Sequence, residues 1–394
     1  MHTLYREKKE CANMKKRITL LMIVLSVLFA GMPVYAKEEP DLHARAALLM
    51  DAATGRVLYE KDGYTPYAVA STTKILTAVL VLEADCEEEY ASVSAKAAKQ
   101  PKVKLYVKKG EKYKVKDLLY SLLLESHNDT AVVLAEHVAG SVEKFAERMN
   151  AKAAEIGCRN AYFITPNGLD ADIQGKANQA SAYDMALITS YALQNERFVE
   201  LIRTKEHTFT DETGRRQEQV SNANRFLDIY DGAIGVKTGF TNLAGYCFVG
   251  AAETKVGKLI CVVLGCGWPP KKNLKWQDSE KLMDYGANTF ERVLLEIPPV
   301  TKTVKVKKGK KENISVGGER MELFVPVCEE DRISKAMFME HLVCAPVENN
   351  KAVGWNRVYL NGEMVLGQTI FTKENCSEKR FSECLQKILH RFYI

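Results

Sequence analysis

A hydroxyl and an amine three residues apart open the chemical reading of this chain. In Ala70-Ser71-Thr72-Thr73-Lys74, the side chains of Ser71 and Lys74 share one face if the segment is helical. The run from Lys74 to Ala84, Lys-Ile-Leu-Thr-Ala-Val-Leu-Val-Leu-Glu-Ala, is apolar and free of Gly and Pro, so it reads as a buried helix with Ser71 near its start. Backbone N–H groups are unpaired at a helix start. A nucleophile, a base and oxyanion donors would then lie within a few ångströms of each other. The pattern alone is not enough. Composition yields roughly one or two S-x-x-K matches in a chain this long. A second stands at Ser141-Val142-Glu143-Lys144, where Gly140 before it makes Ser141 read as an ordinary helix N-cap.

Two further motifs follow Ser71 in order. Ser126-His127-Asn128 lies between helical runs, and Lys237-Thr238-Gly239 ends a strand-like run. Their residue types complete a site. A serine hydroxyl at neutral pH needs a base. Lys74 serves if it is deprotonated, and burial plus a second cation, Lys237, would both lower its pKa. Ser126 can relay a proton to a leaving amine, and Asn128 can hold a substrate amide. Lys237 and the Thr238 hydroxyl suit a substrate carboxylate. The ordered set is far more specific than any one member, because each residue has an assignable role. The histidines at 43, 127, 137, 207, 341 and 390 lack ligand spacing, so no metal and no cofactor is expected. His127 falls beside the site as the middle residue of its motif.

The elements that must position these residues can be read around them. Ala46–Met50 and Arg56–Glu60 flank a turn at Asp51 to Gly55 and predict a β-hairpin ahead of the Ser71 helix. Helical spacing runs from Val115 to about Ile156 and again over Tyr183 to Leu193. Strands return at Ile234–Thr238, Gly245–Ala251 and Lys258–Leu264, and Trp276 to Leu295 reads as a closing helix. Strands at both ends with helices between predict one sheet assembled from distant parts of the chain, an α+β arrangement. Ile297-Pro298-Pro299 marks a boundary. Beyond it the pattern alternates, with a hairpin around Asn361-Gly362 and a solvated tip at Lys305 to Lys311.

The ends of the chain differ from its middle. Lys15, Lys16 and Arg17, the apolar run Ile18 to Ala30 and Val34-Tyr35-Ala36 predict a signal peptide cleaved after Ala36. Residues 1–36 carry six Lys/Arg and two Glu, so most of the net charge of +5 leaves with them. A near-neutral remainder gives no argument for nucleic acid. Nine of the ten cysteines remain, an odd and scattered set that fits free thiols. At the far end, Ser377 is placed to cap a helix with Phe381, Cys384, Leu385, Ile388, Leu389 and Phe392 on one face and basic residues on the other. Such a helix predicts an in-plane anchor on the outer face of the cell membrane. The expected layout is therefore 1–36 signal peptide, 37–296 catalytic domain, 297–376 β-rich domain and 377–394 anchor helix.

The chain resembles the D-alanyl-D-alanine carboxypeptidases, the low-molecular-mass penicillin-binding proteins among the S11 serine peptidases. The resemblance is carried by the three motifs and by Asp51–Lys61, Ala70–Ala78, Ser126–Asp129, Ala182–Ala186 and Gly235–Cys247, within roughly residues 44–292. It implies a β-lactamase/transpeptidase-like domain, an antiparallel sheet with a helical subdomain, followed by a small β-rich domain and an amphipathic helix. It implies Ser71, Lys74 and Ser126 as catalytic residues. Asn128, Lys237, Thr238, Gly239 and Phe240 would bind substrate, with the N–H groups of Ser71 and Phe240 as oxyanion hole. The substrates implied are peptidoglycan stem peptides ending in D-Ala-D-Ala, and β-lactams would acylate Ser71. One position departs from the pattern. Where many members carry an Arg before the closing helix that assists carboxylate binding, this chain has Lys275, which would bind substrate there as a point charge without a bidentate fork. Three other readings stay open at this level: a serine β-lactamase, a penicillin-binding sensor or wall protein without turnover, and endopeptidase action on cross-links. Against the first, no E-x-x-L-N string lies between Ser126 and Lys237.

Overall fold

The computed structural model describes residues 39–170, 178–380 and 382. Its centre is a five-stranded antiparallel sheet. The strands are β1 (Ala46–Asp51), β2 (Val57–Lys61), β3 (Ala233–Thr241), β4 (Gly245–Thr254) and β5 (Gly257–Leu264), in the order β2-β1-β5-β4-β3. Every residue of β1 is buried, which suits a strand covered on both faces. The alternation of side chains then feeds two cores. Ala46, Leu48 and Met50 join a large core with Ile260, Val262 and Leu264 of β5. Ala47 and Leu49 join a second with Leu259, Cys261 and Val263.

Helices cover the first face: α1 (Lys74–Glu83), α2 (Val115–Tyr120), α3 (Asn128–Ala139), α4 (Val142–Ile156), α5 (Ala182–Ala192) and α6 (Glu196–Arg203). The second face is covered by α7 (Leu274–Thr289) with Trp276, Leu282 and Met283, beside Phe226 of the short helical turn Phe226–Ile229. Residues 74–82 of α1 are all buried, and the helix packs against α3, α4, α5 and α6. Its sequence is apolar all round, as a core helix requires. The second S-x-x-K match is a cap: Ser141 Oγ accepts the Lys144 amide at 3.2 Å, just after Gly140 closes α3 at φ +79°.

The chain beyond α7 is β-rich. Strands β6 (Glu291–Ile297) and β9 (Met321–Val327) pair with each other. The others, β7 (Val300–Lys307), β8 (Asn313–Gly318), β10 (Ile333–Met339), β11 (Leu342–Cys344), β12 (Ala352–Leu360) and β13 (Glu363–Thr372), form a six-stranded sheet in the order β10-β12-β13-β8-β7-β11. The β12–β13 hairpin turns at Asn361-Gly362 with positive φ at both residues, as its sequence predicts. Among the described residues Cys86, Cys158, Cys247, Cys261, Cys266, Cys328, Cys344 and Cys376 are free thiols.

Two expectations are corrected. The closing helix stops at Thr289 instead of continuing to Leu295, because Phe290 is extended and the next seven residues pair with β9. Leu295 and Ile297 bury on alternate positions, a strand period that the apolar run Val293-Leu-Leu concealed. Nor does Ser377 begin a helix. Cys376 bridges Val347, Glu378 bridges Gly309, and the Lys379 amide donates to the Lys308 carbonyl at 2.8 Å. Buried Cys376 holds that stretch extended. Apart from Ser382, the remainder of the expected anchor helix lies outside the described residues, as does the expected signal peptide over 1–36.

One ion pair joins the β-rich part to the central sheet. The Arg56 guanidinium, at the head of β2, donates to both Asp331 oxygens at 2.6 and 2.8 Å and to the Pro326 carbonyl. Asp331, whose side chain is 3% exposed, also accepts the Cys328 amide and the Asn361 side-chain amide, each at 2.7 Å. Removing one partner strands a buried charge, so Arg56→Ala is expected to lower unfolding stability by about 3 kcal/mol. Urea denaturation checks this; an unchanged midpoint would show that the pair does not hold the two parts together.

Candidate active site

The site forms where the start of α1 meets the edge strand β3. Residues Ala70–Thr73 make one tight 3-10 turn before α1. Ala70 sits at φ +47°, a left-handed conformation that costs a non-glycine residue about 1–2 kcal/mol. Neighbours on two sides hold it there. A Cβ on Gly239 of β3 would come within 3.0 Å of the Ser71 amide nitrogen, and one on Gly168 would lie 1.9 Å from the Ala70 carbonyl oxygen. Both positions require glycine for close approach, and Gly168 also for its φ of +77°.

The Lys74 ammonium position is the hub. Its Nζ lies 2.8 Å from Ser71 Oγ, 2.9 Å from Asn128 Oδ1 and 2.8 Å from the Asn167 carbonyl oxygen. Two of these neighbours only accept hydrogen bonds. A neutral amine has two N–H groups for them and one lone pair left for the Ser71 hydroxyl. Lys74 has no exposed surface. Burial drives its pKa well below the ordinary 10.5, the Lys237 charge adds to the fall, and Asp129 opposes it.

Lys237 is brought to the same place by register. It pairs with Val249, which lies in the helical core, so its side chain enters the helical face of the sheet. Burial pushes its pKa down to about 7, and its Nζ donates to the Thr238 carbonyl at 3.1 Å. Thr238 pairs with Phe248, on the opposite face. Phe240, more than a third exposed, stacks on Tyr246 with ring centroids 4.7 Å apart.

Ser126 ends a π-turn over Ser121–Glu125 with φ +68°, and its Oγ is buried without a hydrogen-bond partner among the described residues. Asn128 begins α3. Its amide donates to the Val103 carbonyl at 2.8 Å and its Nδ2 to the Pro101 carbonyl at 3.3 Å, which leaves Oδ1 for Lys74. Lys275, on the first turn of α7, packs against Tyr246 of β4. Its Nζ donates to the Lys272 carbonyl at 3.0 Å and lies over the rings of Tyr246 and Trp276, behind Phe240.

Sequence reasoning missed the floor of the site, Thr165-Pro-Asn-Gly-Leu-Asp170. Thr77 of α1 pins it through the Pro166 carbonyl at 2.6 Å. Asn167 supplies its main-chain oxygen to Lys74, while its Nδ2 donates to Gln100 Oε1 at 3.0 Å. Asp170 accepts the Thr241 hydroxyl at 2.7 Å and so ties the floor to the end of β3. The available signal was the turn-forming Pro-Asn-Gly, which reads as punctuation and not as chemistry.

Known proteins resemble the chain on both sides of its boundary. A family described as D-alanyl-D-alanine carboxypeptidase matches residues 34–267, and one described as the penicillin-binding protein 5 C-terminal domain matches residues 297–378. The D-alanyl-D-alanine carboxypeptidase DacF of Bacillus subtilis is 29% identical over 390 residues, covering 95% of this chain and 98% of the relative. Penicillin-binding protein 5 from Haemophilus influenzae superposes with a TM-score of 0.70 at 25% identity, over 86% of this chain and 99% of that one. Penicillin-binding protein D2 from Listeria monocytogenes, solved with ampicillin bound, superposes with a TM-score of 0.55 at 31% identity, over 63% and 99%.

Proposed function

Because the chain belongs to the D-alanyl-D-alanine carboxypeptidase family, the low-molecular-mass penicillin-binding proteins of the S11 serine peptidases, we propose that Ser71 is the residue acylated in its reaction. The protein is a serine-type D-alanyl-D-alanine carboxypeptidase that acts on peptidoglycan and binds β-lactams. Members of the family work on the cell wall, outside the cytoplasm. The observation that carries the assignment of Ser71 is the dry Lys74 amine 2.8 Å from its hydroxyl.

The residues then take the following parts. Lys237 holds the terminal carboxylate of the stem peptide from the helical face of β3, the Thr238 hydroxyl reaches it from the other face across the free edge of the strand, and Asn128 holds its amide. Neutral Lys74 removes the Ser71 proton as Oγ attacks the carbonyl of the penultimate D-Ala. The Ser71 and Phe240 N–H groups receive the developing oxyanion. Ser126 passes the proton to the leaving nitrogen, the C–N bond breaks and D-Ala departs. Water then attacks the ester with Lys74 as base again, and Ser71 is restored. With a β-lactam the cleaved ring stays tethered to the acyl group and blocks that water. Lys275, behind Phe240, supports the strand end that carries the oxyanion donor. We assign residues 37–296 to the catalytic domain, and residues 1–36 to a signal peptide removed on export. The stretch 297–376 forms the β-rich domain. The last residues, from 381, attach the enzyme to the outer face of the membrane. No helix among the described residues is long and apolar enough to cross a membrane.

Three outcomes are expected. Ser71→Ala abolishes both labelling by fluorescent penicillin and release of D-Ala from a diacyl-D-Ala-D-Ala peptide; labelling that survives the substitution contradicts the assignment. The pH profile of kcat/KM reports the free enzyme. Its acid limb arises as Lys74 gains a proton and can no longer act as base. Its alkaline limb begins near the Lys237 pKa of about 7, where the cation that binds carboxylate is lost. Lys237→Arg keeps its charge, so the alkaline limb should move upward; identical limbs in both proteins would remove Lys237 from carboxylate binding. Truncation after Arg380 moves the protein from the membrane to the soluble fraction, and persistent membrane binding would place the anchor elsewhere.

A further inference from the structure

Ser126 holds a conformation that its own backbone disfavours. Its φ of +68° lies in the left-handed region, and the residue is neither glycine nor asparagine. The next side chain supplies the restraint. His127 is 5% exposed, and its two ring nitrogens are both engaged. Nε2 faces Glu125 Oε2 at 3.1 Å, and Nδ1 faces Ser121 Oγ at 2.8 Å. One imidazole therefore ties the first residue of the π-turn to the last, immediately beside Ser126. The bracing continues outward. Ser121 Oγ lies 2.9 Å from Thr130 Oγ1 on the first turn of α3, and Glu125 Oε1 accepts the Ser221 amide at 2.8 Å.

The chemistry of the partners orders the protons. A nitrogen facing a carboxylate must carry a hydrogen, so Nε2–H donates to Glu125. In the neutral ring Nδ1 then accepts the Ser121 hydroxyl, which in turn accepts from Thr130. The chain runs in one direction, from Thr130 through Ser121 and His127 to Glu125, with each hydroxyl used once as donor. The titratable groups around the ring are Glu125, Asp129, Glu218 and Lys74. Burial pushes the His127 pKa down, a proton on Lys74 would add to that, and the three carboxylates oppose. The neutral ring suits this arrangement.

We propose that His127 is a positioning residue for the carboxypeptidase reaction, its imidazole spanning Ser121 and Glu125 so that Ser126 Oγ and Asn128 Oδ1 stay in register with Lys74. The proposal rests on the reading of Ser126 as proton relay. It makes the polar contacts of the ring, and not its volume, the quantity that turnover depends on.

The test compares His127→Leu, His127→Gln, Glu125→Gln and Ser126→Ala in D-Ala release, with kcat and KM separated. His127→Leu keeps bulk and loses both hydrogen bonds; its kcat should fall roughly 10- to 100-fold with KM within about threefold, as for lost alignment in proton transfer. His127→Gln retains an amide donor toward Glu125 and should stay within about threefold of the parent. Glu125→Gln sits on a partly exposed residue that the fold tolerates, so it decides the matter if His127→Leu does not fold; its kcat should fall about three- to tenfold. Parental kcat in His127→Leu or Glu125→Gln, or an equal loss in the Leu and Gln variants, overturns the proposal. If Ser126→Ala also keeps parental kcat, the relay reading falls with it; if Ser126→Ala is inactive, only the role of His127 is refuted.

Discussion

The exclusion of water from the Lys74 amine is the constraint on which this molecule depends. An ammonium in bulk water would hold its proton at neutral pH and leave Ser71 without a base. The fold removes that option by placing Lys74 at the head of a helix buried on every side. The cost of burying a potential charge is offset locally. Three oxygens receive the nitrogen, and each buried Leu, Ile or Val along α1 contributes roughly 1.5–3 kcal/mol. Lys237, buried within range of the same amine, adds a repulsion that only the uncharged form of Lys74 avoids.

The sheet is the frame that brings these groups together. Two cores fed by alternate residues of β1 and β5 fix every strand in register, because a one-residue slip would send each side chain to the wrong face. That register places Lys237 on the helical face of the edge strand and Thr238 on the other. Gly239 lets the strand pass the Ser71 amide at a distance no side chain permits. The strained Ala70 and Ser126 flank the site on both sides, and packing over-determines each of them.

How much of this was legible in the sequence depends on what each residue contributes. Ser71, Lys74, Asn128, Lys237 and Thr238 act through distinctive side-chain chemistry, so their order along the chain pointed to a site before any geometry was known. The hairpin at Asp51–Gly55 and the strands near 234–264 follow short apolar runs bounded by turn signals, and they stand where expected. Asn167 was not legible, because it offers a main-chain oxygen that any residue type carries. Gly168 contributes the absence of a side chain, and Asp170 reaches a strand end 71 residues away. Leu295 lay in an apolar run too short to tell a helix from a strand, and pairing with a partner downstream decided it. Ser377 had the residue type of a cap, but a buried neighbour, Cys376, held it extended.

The protonation state of Lys74 is open to direct measurement. Protein carrying nitrogen-15 lysine, with the Lys74 signal assigned by difference against Lys74→Arg, can be titrated by NMR at the side-chain nitrogen. The account predicts a neutral amine at neutral pH, with its titration displaced well below the ordinary 10.5. A Lys74 resonance that remains an ammonium until the pH approaches that ordinary value would contradict it.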